Sequence, residues 1–359
     1  MSKTASPAKK EKKRSENKRV RYMPLYLTRL SVVRNTIVEH RKKGYPLILF
    51  PKKNFSDLFF SSLTAVASFT IIIFIVGILT VLFKESSLAM KKFGLFNFLT
   101  STAWDPVKGI FGAATTIYGT FVTTALALLF AIPTAIGIAI FVTEIAPNFL
   151  KGPFGIAIEL LASIPSIIYG MWGLFTLAPI MSKYVEPALQ GTVGKLPFVS
   201  ILFQGTPMGI DLLTASVILG IMIIPFTASI ARDSFNLTPP VVKESAYAMG
   251  ATQWEVVKDV ILPYSRLGVF GGAALSLGRA LGETMAVAFV LGNSHKIATS
   301  LLDAASTITV TLANEFTEAD SDIYLSSLYY LALALFVMSF IILAISKYFL
   351  LKAERRYHR

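Results

Sequence analysis

The sequence predicts an all-α fold, a polytopic membrane helical bundle of six transmembrane helices. Three observations carry that expectation. Hydrophobic residues make up 54% of the 359 and charged residues only 15%, with a mean hydropathy of +0.62, whereas a soluble domain carries roughly 25% charged residues. Six apolar runs are each long enough to cross roughly 30 Å of hydrocarbon at about 1.5 Å per residue. The formal net charge of +13 gathers outside those runs. Because the runs are continuously apolar rather than alternating, helices and not barrel strands would satisfy their backbone groups.

In chain order, residues 1–57 form a basic arm in which Lys and Arg far outnumber the acids Glu11, Glu16, Glu39 and Asp57. It is too long and too polar for a signal peptide. It reads as a solvated tail through about Lys18, then a surface helix near Leu25 to His40 whose Leu27, Leu30, Val33 and Ile37 could rest on anionic lipid. A docking arm for a cytoplasmic partner is the other reading; no nucleic-acid-binding module is recognisable.

The transmembrane domain, 58–350, follows, with spans at about 58–82, 117–142, 154–178, 212–230, 269–291 and 324–350. A basic tail, 351–359, closes the chain. Pro133, Pro165 and Pro225 interrupt the second, third and fourth spans. Of these Pro165, flanked by Ser163 and Ser166, is best placed to bend a helix that lines a cavity. Glu159, near the start of the third span, is expected to be structural. Trp172, Tyr329, Tyr330 and Phe336 suit packing or an interfacial belt. Basic flanks stay inside, so the arm and the tail, with Lys352, Arg355, Arg356 and Arg359, are expected in the cytoplasm. The acidic segment 292–323, with Asp303, Glu315, Glu318, Asp320 and Asp322 against Lys296, is expected outside.

Several chemistries are excluded. With no cysteine, there is no disulfide framework, thiolate metal site, iron–sulfur cluster or cysteine nucleophile. The three histidines, His40, His295 and His358, all lie outside the apolar runs. Gly191-Thr192-Val193-Gly194-Lys195-Leu196 lacks the spacing and the hydroxyl residue of a P-loop, and neither a dinucleotide fingerprint nor a zinc-binding helix occurs. No metal, cofactor or enzymatic site is therefore expected on this chain. Transport, channel or scaffold functions remain.

The most informative polar stretch is 233–266. Glu244-Ser245-Ala246-Tyr247-Ala248-Met249-Gly250 reads as a helix after Pro239-Pro240, ended by a glycine turn. Nine residues later Val260-Ile261-Leu262-Pro263 ends a second helix, Gln253 to Leu262, with Pro263 closing it. This pattern resembles the EAA loop of ABC importer permeases, in register at Glu244, Ala246, Gly250, Leu262 and Pro263, with Ser245 and Val260 as mild departures. The resemblance implies a coupling element that seats in a groove of a separate ATPase subunit, with Met249, Ala251 and Trp254 as knobs buried in that contact.

Arg279 and Glu283 are the only charges in the fifth span and, four residues apart, are expected on one helical face. A charge at such depth costs about 3 kcal/mol, so it should face the bundle interior. Two readings stand: a substrate path, or a self-neutralising pair that fixes packing beside Gly268, Gly272, Gly278 and Gly282. A guanidinium fork suits a passing oxyanion, and Glu283 would keep the anion from being held too tightly. Ser163, Ser166 and Tyr169 are candidates for the same path.

Two strings narrow the family: Gly278-Arg279-Ala280-Leu281-Gly282-Glu283-Thr284-Met285-Ala286-Val287 and Ser163-Ile164-Pro165-Ser166-Ile167-Ile168-Tyr169-Gly170. They resemble phosphate-specific ABC permeases of the PstC type rather than the PstA type, and the resemblance covers about 111–350. It implies a type I ABC importer permease (MetI-like) fold in a bacterial inner membrane, forming half of the anion pathway of an ATP-driven phosphate importer. It also implies a PstA-type second permease, two copies of a PstB-type ATPase subunit carrying ATP and Mg, and an external PstS-type phosphate-binding protein. A sister permease for molybdate or sulphate and, from another class, an ATP-independent secondary transporter or anion channel are the alternatives.

Overall fold

The computed structural model describes residues 55–197 and 199–357; the expected basic arm, apart from its last three residues, lies outside them. Two units meet at Phe74 and Ile75, inside the first described helix, α1 (Phe55–Glu85). No residue of α1 is buried, and it is apolar on every side, as suits a helix bathed in lipid or covered by another chain.

Then come α2 (Ser87–Phe93) and α3 (Leu95–Thr100), and α4 (Ala114–Ile140), which a π turn extends to Ile145. The next helices, α5 (Asn148–Ala162) and α6 (Ser166–Trp172), meet at an 87° bend. Short helical pieces follow, including α7 (Ala178–Ile180) and α8 (Glu186–Gly191). The long α9 (Leu212–Asn236) leads to α10 (Pro240–Ala248) and α11 (Gln253–Glu255). A π turn, Val256–Ile261, joins α11 to α12 (Leu262–Leu281). The described chain ends with α13 (Met285–Ala288), α14 (Ile308–Glu315) and α15 (Asp322–Tyr357). Among the described residues five helical stretches are long and apolar enough to cross a membrane, and six if the bent pair that begins with α5 and α6 is one span.

The core forms around α9, whose Leu212, Ala215, Ile218, Leu219, Met222 and Ile223 are buried. Against it α4 presents a small residue at every fourth position, Ala127, Ala131, Ala135 and Ala139, all buried. That stripe lets two helix backbones approach where lipid offers no hydrophobic drive. Gly220 of α9 answers it, since a Cβ there would run into the Phe130 ring. The start of α9 is set by Asp211, whose Oδ1 accepts from the Thr214 amide at 2.8 Å, a side-chain N-cap.

The helices differ from the expected spans most in the third, fourth and fifth. The third, expected as one run over 154–178, is a broken pair, Asn148–Ala162 and a second piece from Ser166. The fourth continues to Asn236 rather than ending at 230. The fifth, expected at 269–291, is helical over Leu262–Leu281 and runs continuously from Gln253. Pro263 therefore does not close a helix. The π turn just before it widens the backbone, and Pro263 enters at the first turn of α12 where its missing N–H costs little. Pro133 and Pro225 likewise sit inside continuous helices, and only Pro165 stands at a sharp bend.

Candidate functional site

Two helix breaks meet in the bundle. At the first, α5 ends on Ser163, whose Oγ donates to the Leu160 carbonyl at 2.7 Å. Pro165 then starts α6 in a new direction. Tyr169 braces the bend by donating its hydroxyl back across it to the Leu161 carbonyl at 2.9 Å. Next to it Gly170 touches α13: a Cβ at this position would lie 2.8 Å from the Met285 carbonyl oxygen and 3.1 Å from the Ala286 Cα. Glycine is required by that close approach.

At the second break α12 stops at Leu281, and the Gly282 amide donates to the Arg279 carbonyl at 3.2 Å. Arg279 thus lies in the last turn of α12 while Glu283 lies beyond its end. This corrects the expectation that both share one helical face; the glycine at 282 ends the helix between them. Glu283 turns the other way. Its Oε1 accepts from the Ala286 amide at 3.3 Å, capping α13, and its carbonyl accepts from Thr309 Oγ1 at 2.7 Å.

Arg279 makes no ion pair among the described residues. Its guanidinium carbon sits 5.4 Å from the centre of the Phe226 ring of α9. The Nε is buried and has no hydrogen-bond partner. A desolvated donor on a fixed cation is a ready contact for an anion. The helix that carries Tyr169 meets α13, just beyond the break after Arg279, whereas Ser163 is exposed and spends its hydrogen on its own helix. Ser166 is half-buried in the first turn of α6. The glycines beside Arg279 serve packing: Gly268 and Gly272 meet Ser234 and Ile230 of α9, and Gly278 meets Leu343 of α15.

The loop between α9 and α12 forms a second candidate surface. Gly250 has φ +89°, the left-handed turn that favours glycine. Thr252 and Glu255 form a reciprocal capping box, the Thr252 amide donating to Glu255 Oε2 at 2.7 Å. The loop is tied to the end of α4 by Lys243 Nζ and Glu144 Oε1 at 2.6 Å and by Gln253 Nε2 donating to the Glu144 carbonyl at 2.8 Å. Ala246, Ala251 and Leu262 pack inward with Phe235, Val256, Val257 and Ile261. Outward stand Val241, Tyr247, Met249 and Trp254, with Met249 83% and Trp254 65% exposed, and Glu244 is exposed beside them. Ala251 was expected among the outward knobs; it belongs to the inner face instead, because the turn at Gly250 lets its amide bond back to the Ala246 carbonyl. Glu159 accepts from Arg232 Nη2 at 2.7 Å.

Two buried acidic sites were not anticipated. Glu315, assigned to an acidic loop, is 7% exposed and accepts from Trp104 Nε1 at 2.7 Å and the Tyr324 hydroxyl at 2.8 Å, with His295 Nε2 at 2.8 Å from its other oxygen. Glu186 and Asp211 are both fully buried side by side. The Asp-Leu-Leu-Thr string at 211–214 carries a readable N-cap signal, but nothing in the sequence marks Glu186.

Residues 131–356 match the family described as binding-protein-dependent transport system inner membrane component. The phosphate transport system permease protein PstC of Mesorhizobium japonicum is 52% identical over 301 residues, covering 84% of this chain and 92% of that protein. The chain belongs to the PstC family. The PstC of Haemophilus influenzae is 46% identical over 296 residues, 82% of this chain and 93% of that protein. A probable PstC of Methanocaldococcus jannaschii is 37% identical, covering 81% of this chain and 92% of that protein. Among solved structures, a bacterial ABC transporter involved in the import of the acidic polysaccharide alginate aligns with a TM-score of 0.50 at 17% identity, over 81% of this chain and 94% of that one. That likeness establishes the fold of an ABC importer membrane subunit. As a PstC-family inner-membrane component the chain is a multi-pass transport subunit and not itself the enzyme. A binding protein and an ATPase belong to such a system as separate chains.

Proposed function

We propose that this chain is the permease subunit of an ATP-driven phosphate importer and forms half of its anion pathway. Arg279 is the phosphate contact, with Tyr169 and Ser166 beside it, Ser163 at the mouth of the bend, and Glu283 setting the break that aims the guanidinium. The observation that carries this reading is the buried, unpartnered Nε of Arg279 at the meeting of two broken helices. Broken helices are tolerated at membrane depth where they line a cavity.

The partners are a PstA-type second permease, two copies of a PstB-type ATPase subunit and an external PstS-type phosphate-binding protein. The outward face of α10–α11, with Glu244, Met249 and Trp254, seats in the ATPase, while Ala246, Gly250, Ala251, Leu262 and Pro263 hold that face in shape. Both termini and the Gly250 loop face the cytoplasm; the segment 292–323 faces outside. No cofactor is needed on this chain, since ATP and Mg act on the ATPase subunits.

The test is ATP-dependent uptake of phosphate, sulphate and molybdate by vesicles containing the chain with its co-purifying subunits. Phosphate uptake that needs ATP, with little of the other two, is the expected result. A preference for sulphate or molybdate would assign the chain to a sister oxyanion.

A further inference from the structure

The second break is held from outside the helix it interrupts. Thr309 lies in the first turn of α14, is 7% exposed, and donates its hydroxyl to the Glu283 carbonyl at 2.7 Å. No backbone N–H reaches that carbonyl among the described residues. The first turn of α14 is itself immobilised on α4. The Ile308 amide donates to Thr120 Oγ1 at 3.0 Å, and the Ser306 carbonyl occupies the space a Cβ on Gly119 would need. Ser306 Oγ also bridges Asn293 Oδ1 at 3.0 Å and Thr311 Oγ1 at 2.8 Å. One buried hydroxyl therefore joins the first turn of α14 to the peptide four residues after Arg279.

We infer that Thr309 is a positioning residue for Arg279: its hydrogen bond fixes the 282–284 break and so the direction in which the guanidinium is presented. The inference rests on the reading of Arg279 as the phosphate contact. Glycine at 282 leaves the break with little stiffness of its own, which lets the last turn of α12 fray and the direction of the Arg279 side chain drift. The Thr309 bond removes that freedom. It also gives the 292–323 segment a direct hydrogen-bonded link to the peptide that follows the end of α12.

The importer, purified with its partner subunits, is reconstituted with Thr309→Val, Thr309→Ser, Thr311→Val and Arg279→Gln in parallel. Phosphate uptake and ATP hydrolysis are both normalised to assembled complex, so that a folding defect lowers yield without moving the ratio. Thr309→Val, which removes the hydroxyl and keeps the branched shape, should lower phosphate moved per ATP at least about tenfold, in keeping with the cost of small misplacements. Thr309→Ser should restore it to within about twofold. Thr311→Val, in the same hydroxyl cluster but bonded to Ser306 and not to the break, should transport like the parent. Parental transport by Thr309→Val, failure of Thr309→Ser to exceed it, or an equal defect in Thr311→Val would each overturn the positioning role. Arg279→Gln separates the two levels. If it is inactive while Thr309→Val is normal, only the positioning role fails; if it transports normally, the pathway reading fails and the positioning role with it.

Discussion

At the scale of single residues, the chemistry at the second break divides between Arg279 and Glu283, and the two act on different neighbours. Glu283 caps α13 through its carboxylate oxygen and the Ala286 amide, a bond that a glutamine side-chain oxygen can keep. Glu283→Gln should therefore leave the complex assembled, with any change confined to transport. Glu283→Leu strands the amide, at a cost of about 1–3 kcal/mol, and should lower the yield of assembled complex. Size-exclusion yield against uptake separates them, and a Gln variant that assembles as poorly as the Leu variant would contradict the capping role. The presence of both charges was legible, because ionisable groups in an apolar run stand out. Their relation was not. A spacing of four suggests a shared face only while the helix lasts, and Gly282 could be read equally as packing or as a terminus.

At the scale of elements, the loop proposed for coupling holds an apolar outer face on an inner frame. Gly250, with φ +89°, makes the turn, and nothing lies within 4 Å of where its Cβ would be, so a substitution there meets conformational strain rather than a clash. Gly250→Val should cost roughly 1–2 kcal/mol and move Met249 and Trp254 out of register. Phosphate uptake per ATP hydrolysed should fall while the chain remains in the membrane; normal coupling in that variant would mean the turn is not a rigid transmitter. The helix, turn and second helix were all visible in the Pro-Pro start, the glycine and the run from Gln253. The continuity through Pro263 was hidden, because a proline that follows a π turn looks in sequence like any other helix terminator.

At the scale of the whole molecule, apolar run length and charge segregation read out the helical class, since both follow from the bilayer's thickness and its dislike of charge. Long-range satisfaction of buried polar groups was out of reach. The Trp104, His295 and Tyr324 side chains converge on Glu315 from segments up to 211 residues apart, and no local pattern announces such a meeting. Orientation is checked by single cysteines placed in this cysteine-free chain. Labels at the exposed positions 149 and 250 should react only from the cytoplasmic side, and those at 96, 196 and 318 only from outside. Reaction of position 250 from outside would remove the coupling role of its loop.

The most direct measurement is phosphate uptake per assembled importer for Arg279→Gln, Arg279→Lys and the parent, with ATP hydrolysis followed in the same vesicles. Arg279→Gln should insert and assemble but lose most uptake, because the charge whose burial costs about 3 kcal/mol makes no ion pair among the described residues. Arg279→Lys should recover uptake only in part, since a point charge lacks the guanidinium's planar fork. Parental uptake by Arg279→Gln in fully assembled complex would show that phosphate crosses the bundle without meeting this residue.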